Sequence, residues 1–374
     1  MDWKIPLYRI FTDKEDEKLI SKVLSRQMDW AIGPEILEFE KKLSNYVGTK
    51  YCLTFNSGTS AGHAALLALN INSGDVLVPS FTFIATANWP LMVNAKPKFV
   101  DIDEKRFGMD PQSLDKKISK NTKAIIPIHY GGLPCEINEL KKISSNKNIP
   151  LNEDCAEALG TKINGKSAGI YGKISIFSFA PNKILTTGEG GAICTNSKNL
   201  FEKLKLIRSH GRELNNNYFK TNEQANYTSI GYNWRMSSIT AALGNSQFNK
   251  IDKILRLRKK YARIYDQQFK KIEQITTPFV SDNEEHVYQL YTIRLENQKI
   301  RNKLQQYLTK KRIMTKIFFD PIHLSNFYKK LGYEKNHLPV TQKISKTILS
   351  LPIFPGLKKE EISYVCNSVK EFFE

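Results

Sequence analysis

Residues 74–102, GDVLVPSFTFIATANWPLMVNAKPKFVDI, carry the pattern that decides the architecture. Gly74-Asp75 leads into a short apolar run, Val76-Leu77-Val78-Pro79, with the character of a strand. Thr82 to Leu91 reads as a helix, and Pro97 to Ile102 returns to strand character. The alternation continues downstream through strand-like runs at Ala124 to Ile128, Ile149 to Glu153, Lys173 to Phe179 and Gly191 to Thr195. Helix-like segments separate most of them, for example Ile137 to Ser145. Strands alternating with helices over this length predict an α/β fold with a mainly parallel sheet, covered on both faces.

Upstream, Thr12 followed by Glu15 reads as a capping box ahead of Leu19, Ile20, Val23 and Leu24. A second helix starts after Gly33-Pro34, with Ile36, Phe39, Leu43 and Tyr46 on one face and Gly48 at its stop. The pattern changes near residue 250. A long amphipathic helix leads into strands around Val287 to Leu295 and Ile313 to Phe319. Helices follow near 298–311 and 358–373, the last with Ile362, Val365, Val369 and Phe372 at helical spacing. The expected organisation is a large α/β domain over residues 1–250 and a smaller α+β domain over 251–374. The segment Gly211 to Thr228 is an asparagine-rich loop (Asn215, Asn216, Asn217, Asn222, Asn226), polar and long enough to be functional.

The chain has 374 residues, 41% hydrophobic and 25% charged, which is globular composition and excludes a disordered or collagenous chain. No apolar run has the roughly 18 residues of a membrane span, and the start, Met1-Asp2-Trp3-Lys4-Ile5-Pro6, lacks the features of a signal peptide. A cytoplasmic protein is the expectation. Five dispersed cysteines, an odd number with no CxxC spacing, fit reduced thiols, and six scattered histidines give no metal-ligand pattern. The net charge is +19, and the densest basic stretch is Lys253, Arg256, Arg258, Lys259, Lys260 and Arg263. These interleave with Ile251, Ile254, Leu255, Leu257, Tyr261 and Ile264, so they read as the solvated face of the long helix, and nucleic acid is not an expected partner.

Four motifs fall near expected carboxyl ends of strands, where open α/β sheets bind ligands. Asn56-Ser57-Gly58-Thr59-Ser60-Ala61 opens a helix with small residues, which suits either a phosphate cradle or a plain N-cap. Glu153-Asp154-Cys155-Ala156-Glu157 offers a carboxylate to a heterocyclic nitrogen, or a helix cap. Phe177-Ser178-Phe179-Ala180-Pro181-Asn182-Lys183, followed by Thr186-Thr187-Gly188-Glu189-Gly190-Gly191, places one lysine between an apolar strand and a flexible turn. That is the setting of a Schiff-base lysine or of a solvated loop lysine. Gly231-Tyr232-Asn233-Trp234-Arg235-Met236 precedes another helix.

In this order the four motifs resemble the DegT/DnrJ/EryC1/StrS family, the pyridoxal-phosphate-dependent sugar aminotransferases of fold type I. Pro127-Ile128-His129-Tyr130-Gly131-Gly132, Arg208-Ser209-His210-Gly211 and Leu351-Pro352-Ile353-Phe354-Pro355 extend the resemblance over nearly the whole chain. It implies a seven-stranded-type sheet in the large domain and pyridoxal 5'-phosphate as cofactor. Lys183 would form the Schiff base and shuttle protons, and Asp154 would keep the pyridine nitrogen protonated. Gly58, Thr59 and the Ser178 hydroxyl would hold the phosphate, and Phe83 would stack on the ring. Asn233 would be donated to the phosphate of a neighbouring subunit, making a homodimer the smallest active unit. Glu157 stands beside the cofactor's phenolic oxygen, where many relatives carry Gln or His.

A lysine rather than a histidine at position 183 implies transamination rather than sugar dehydration. The motifs around Asp154 and Lys183 are similar to the perosamine synthase branch, which aminates C4 of a GDP-linked 4-keto-6-deoxymannose with glutamate as donor. Acceptors linked to UDP or dTDP, with a 3- or 4-keto group, are the alternatives, followed by a dehydratase or a regulatory protein on the same fold. The chain departs from that branch at Ala180-Pro181, at Trp234 and at Lys316-Ile317. Lys316 and His323, the latter in Pro321-Ile322-His323, are candidate substrate contacts or ordinary positions of the small domain.

Overall fold

The computed structural model describes residues 2–213, 222 and 224–374. Of the asparagine-rich loop, Asn215, Asn216 and Asn217 lie outside the described residues.

Seven strands build the main sheet: β1 Tyr51–Phe55, β2 Asp75–Pro79, β3 Lys96–Val100, β4 Thr122–Ile125, β5 Asn152–Asp154, β6 Ile174–Ser178 and β7 Gly191–Thr195. The residues quoted first form β2, the helix Ile84–Met92 and β3, with β2 and β3 parallel. Strand β4 lies parallel to β2 on its other side, and β5 is parallel to β6. Isolated parallel bridges, Ile125 to Leu151 and Ile128 to Asp154, join the two groups. The spatial order is therefore β3-β2-β4-β5-β6-β7-β1. Strand β7 alone runs against its neighbours, pairing antiparallel with both β6 and β1. No helix separates β6 from β7, so the chain lacks the crossover that a parallel return requires.

Alternation along the strands covers both faces. Val76, Val78, Ile174 and Ile176 pack with Leu66 and Trp89 on one side. Leu77 joins Val100, Ile125 and Leu140 on the other, while Phe177 packs with Phe39 and Leu43. The chosen pairing sends the carboxyl ends of β1, β2, β5 and β6 to one edge. Asn56-Ser57-Gly58, Ser80 to Phe83, Asp154 to Glu157 and Ser178 to Lys183 all leave the sheet there.

A second sheet, antiparallel, joins Ile275–Thr276, Tyr291–Leu295 and Ile348–Leu351. It packs with the helices Ile251–Phe269, Gln298–Lys310 and Lys359–Phe373 around Tyr265, Tyr291, Ile293, Leu349 and Val365. The helix Ile251–Phe269 serves both cores: Ile254 and Leu255 pack beside Phe39, and Tyr261 and Phe269 beside Tyr291.

Several local expectations are corrected. The first helix, Lys14–Ser25, is capped by Asp13 rather than Thr12, and Asp13 and Asp16 form the reciprocal box because both carboxylates accept backbone N–H groups. Ile313 to Phe319 is not a strand; its ladder pairing is limited to single bridges, Ile313 to Ile5 and Lys316 to Ser350. Arg258 does not share the solvated basic face. It is buried, and its Nη1 donates to the carbonyls of Tyr288, Gln289 and Ile353. All five cysteines are buried and unpaired. No helix among the described residues is long and apolar enough to cross a membrane.

Candidate active site

The helix Gly58–Ala68 begins at the sheet edge, directly after β1. Ser57 caps it by accepting from Ser60 N–H, which leaves the N–H groups of Gly58 and Thr59 free for an anion. Strand β7 and Ser178 press against this turn. A Cβ on Gly191 would lie 2.5 Å from the Ser57 carbonyl, and one on Gly58 would lie 3.0 Å from the Ser178 Cβ. The glycines thus permit a cradle of two N–H groups and one hydroxyl that larger residues would fill.

Asp154 ends β5 in a buried position. Its Oδ2 accepts from the Thr86 hydroxyl at 2.7 Å, and its Oδ1 from Ala156 N–H at 3.0 Å. Thr86 also contacts Thr82 at 3.0 Å, next to Phe83. No cationic side chain forms a salt bridge with Asp154 among the described residues. Burial pushes its carboxyl up, against the Thr86 and Ala156 hydrogen bonds and the charge of Lys183. A buried acid without a bonded cation is suited to a protonated ring nitrogen.

Lys183 follows β6 after a short loop. Its Nζ donates to Glu157 Oε1 at 3.3 Å, both side chains being only about one-eighth exposed (13% and 12%). The second oxygen of Glu157 accepts from Gly131 N–H at 2.8 Å. Glu157 is therefore turned to the lysine amine and a backbone donor. A cradle for a phosphate, an acid for a ring nitrogen and an amine for an aldehyde together fit pyridoxal phosphate.

Phe83 is 59% exposed and borders a cleft of about 820 Å³, which continues along Lys316, Phe318, Phe319 and Asp320 to Lys346. Phe83 and Phe319 lie 6.4 Å apart across it. Lys316 is exposed there, so the structure brings it to the same opening as Phe83. His323 is different. It is buried, its Nδ1 contacts Ser80 Oγ at 2.6 Å and its Nε2 contacts Gln342 at 3.3 Å. Burial lowers its pKa to about 4, and it does not line the cleft. The expectation of a substrate contact at His323 is corrected: the side chain fastens the cleft segment to β2. Asn233 is exposed, and its carbonyl lies 3.5 Å from Asn56 Nδ2, beside the turn that leads to Gly58.

Thr86, Tyr130, Gly131 and Gly191 were not among the residues expected to matter as individual site groups. Their contacts are long-range, and the local signals are the paired glycines, Gly131-Gly132 with positive φ and Gly190-Gly191 at a close backbone approach. The fold also gathers His129, Glu153 and Cys155, whose potential ligand atoms lie within 4.8 Å. Glu153 is already committed, accepting from the N–H groups of Gly169, Tyr171 and Gly172 and contacting His129 Nε2 at 3.1 Å. This is the anchoring of a strand end rather than an open ligand set.

A family model described as the DegT/DnrJ/EryC1/StrS aminotransferase family matches residues 11–370. The chain is 33% identical over 370 residues to the GDP-perosamine synthase of Escherichia coli O157:H7, covering 99% of this chain and 98% of that one. It is 34% identical over 352 residues to the UDP-2-acetamido-2-deoxy-3-oxo-D-glucuronate aminotransferase of Pseudomonas aeruginosa, covering 94% of each. Among solved structures, PseC of Helicobacter pylori, an aminotransferase involved in the biosynthesis of pseudoaminic acid, superposes with a TM-score of 0.92 at 30% identity, covering 99% of each chain.

Proposed function

The chain belongs to the DegT/DnrJ/EryC1/StrS aminotransferase family, a family of pyridoxal-phosphate-dependent sugar aminotransferases, and from that premise we propose that it moves the amino group of glutamate to C4 of a GDP-linked 4-keto-6-deoxyhexose. The products would be 2-oxoglutarate and a GDP-perosamine-like amino sugar. The observation that carries the reading is the Lys183 amine, held by Glu157 at the same sheet edge as the buried Asp154. Similarity to a GDP-perosamine synthase over the full length supports the choice of sugar.

Pyridoxal phosphate, when bound, supplies the aldehyde for the donor amine and a ring that accepts electrons from the donor carbon. Lys183 binds the cofactor through its amine. As a free amine it would take the Cα proton of glutamate and later deliver a proton to the sugar carbon. Asp154 holds a proton on the ring nitrogen, and the Thr86 hydroxyl keeps that carboxylate aimed. The N–H groups of Gly58 and Thr59 and the Ser178 hydroxyl bind the phosphate, while Phe83 covers a ring face. Glu157 orients the lysine amine. Asn233 reaches the phosphate held by a second copy of the chain, so a homodimer is the smallest working unit. Lys316 in the cleft meets the diphosphate of the sugar nucleotide. Buried thiols without disulfides are in keeping with a cytoplasmic enzyme of polysaccharide biosynthesis.

A UDP-linked 3-keto sugar is the second reading, favoured by the similarity to the Pseudomonas aeruginosa enzyme. A panel of GDP-, UDP- and dTDP-linked keto sugars with glutamate, read by mass spectrometry, decides between them. Amination of the GDP-linked 4-keto sugar well above the others is expected. Turnover of none of them would overturn the reading.

A further inference from the structure

The hydroxyl of Tyr130 donates to the carbonyl of Phe318 and lies 3.2 Å from Thr292 Oγ1. Its ring stacks on Phe81 at 5.3 Å and meets Phe319 edge-on at 6.1 Å. Phe318 and Phe319 form a wall of the large cleft, whereas Tyr130 is buried behind them. Burial also pushes the Tyr130 hydroxyl pKa up, so it stays a proton donor.

The residue after Tyr130 faces the reaction site. Gly131 adopts φ +58°, a left-handed conformation that glycine accepts without strain, and so points its N–H at Glu157 Oε2, 2.8 Å away. Glu157 has two hydrogen-bond partners among the described residues, this N–H and the Lys183 amine. An unbroken series of contacts therefore runs from the Phe318 carbonyl through Tyr130, Gly131 and Glu157 to Lys183. On the cleft side, the segment around Phe318 is held by the Lys316–Ser350 bridge and by Tyr130. It belongs to no continuous ladder, which makes it the element that an occupant of the cleft displaces most readily.

We propose that Tyr130 is a positioning residue that couples occupancy of the cleft by a nucleoside diphosphate to the placement of the Lys183 amine, through Gly131 and Glu157. The inference rests on the nucleotide-sugar reading above for the identity of the occupant. When the cleft fills, the Phe318 carbonyl moves with its segment and Tyr130 moves with the carbonyl. The Gly131 N–H that fixes one oxygen of Glu157 shifts accordingly, and the other oxygen carries the lysine amine with it. The enzyme thereby sets its acid–base group in register with the second substrate. Coupling of this kind is reciprocal, so a change at Glu157 alters affinity in a cleft that Glu157 does not line.

The test uses cofactor-free protein and GDP, UDP or dTDP as probes. Calorimetry gives nucleotide affinity, and peptide mass spectrometry follows the rate at which an amine reagent modifies Lys183. In the wild type, saturating GDP should change that rate by about five-fold or more. Tyr130→Phe, which keeps the ring and loses only the donor, should still bind GDP at saturating concentration yet show little change at Lys183. Equal protection of Lys183 in both proteins would mean that the nucleotide shields it directly, and would overturn the coupling. Binding without any effect on wild-type Lys183 would overturn it too, while leaving the nucleotide reading intact. Failure of the wild type to bind any of the three nucleotides would instead refute that reading, and the coupling with it. Should Tyr130→Phe fail to fold, Glu157→Gln decides: GDP affinity altered by about five-fold or more supports the proposal, and unchanged affinity refutes it.

Discussion

Thr86 donates its hydroxyl to Oδ2 of Asp154 at 2.7 Å, across 68 residues of sequence, and so joins the helix after β2 to the end of β5. The hydrogen bond stabilises the ionised form of a carboxylate that burial drives toward neutrality. Thr86→Val keeps the shape and removes the donor. Hydrogen bonds to charged groups contribute about 1.5 kcal/mol or more, so the variant should bind pyridoxal phosphate roughly ten-fold more weakly. Thr86→Ser should restore most of the affinity. Equilibrium binding to cofactor-free protein measures this, and unchanged affinity in Thr86→Val would show that Asp154 is held by other means.

Close approach makes a second prediction at Gly191. A methyl there would sit 2.5 Å from the Ser57 carbonyl and 2.6 Å from Gly58 N, and both neighbours are backbone. They cannot rotate away as a side chain would. Gly191→Ala should destabilise the protein by about 1–3 kcal/mol and disturb the phosphate cradle. Gly165→Ala is the control, because its Cβ would meet nothing within 4 Å even though its φ is +73°. That variant should lose about 1 kcal/mol from backbone strain alone and bind cofactor normally. Urea unfolding midpoints and cofactor titration separate the two effects.

The crossover pattern in residues 74–102 was legible because strand and helix periods differ and because glycine and proline punctuate them. The helix begins at Ile84 rather than Thr82, since the intervening residues form the edge loop that carries Phe83. Ile313 to Phe319 misleads for the opposite reason. Its composition suits a strand, yet Phe318 and Phe319 are drawn to the cleft and Tyr130 instead of to a ladder. His323 presents a polar residue in a turn, and nothing local announces that Ser80 and Gln342 bury it. Thr86 has no signature of any kind, because its meaning lies wholly in a partner far along the chain. Local chemistry is written in local sequence; the groups that aim it are brought by the fold.

The Lys183 amine can be removed without removing the rest of the site. Lys183→Ala should reduce transamination by a factor on the order of 10⁴ or more, as expected on losing both the attachment point and the proton carrier. Borohydride reduction followed by digestion should place the cofactor on the Lys183 peptide in the wild type and on no peptide in the variant. A covalently labelled lysine elsewhere would contradict the assignment. Glu157 would be left with Gly131 N–H as its hydrogen-bond partner, so the variant should also lose some stability at neutral pH.

His286 makes the stability of the fold depend on pH in a calculable direction. It is buried, its Nδ1 accepts from Tyr288 N–H at 3.0 Å, and its ring stacks on Tyr288 at 4.0 Å. Burial lowers its pKa from 6.5 to about 3, against a hydrogen bond to the Gly132 carbonyl. The neutral ring uses one nitrogen as acceptor and the other as donor, so a second proton would sacrifice the Tyr288 contact. The unfolded chain binds a proton below pH 6.5 that the native state refuses until about pH 3. Stability from this group is thus complete above pH 6.5 and falls as the pH drops through that window. Between pH 6.5 and 5 the loss is about 2 kcal/mol. His286→Phe keeps the stacking and strands the Tyr288 N–H, costing about 1–2 kcal/mol at pH 7. Its stability should then decline less steeply toward pH 5 than that of the wild type. Urea unfolding of both proteins at pH 7 and pH 5 gives the comparison, and equal slopes would mean that His286 takes up its proton at the same pH in the folded chain as in the unfolded one.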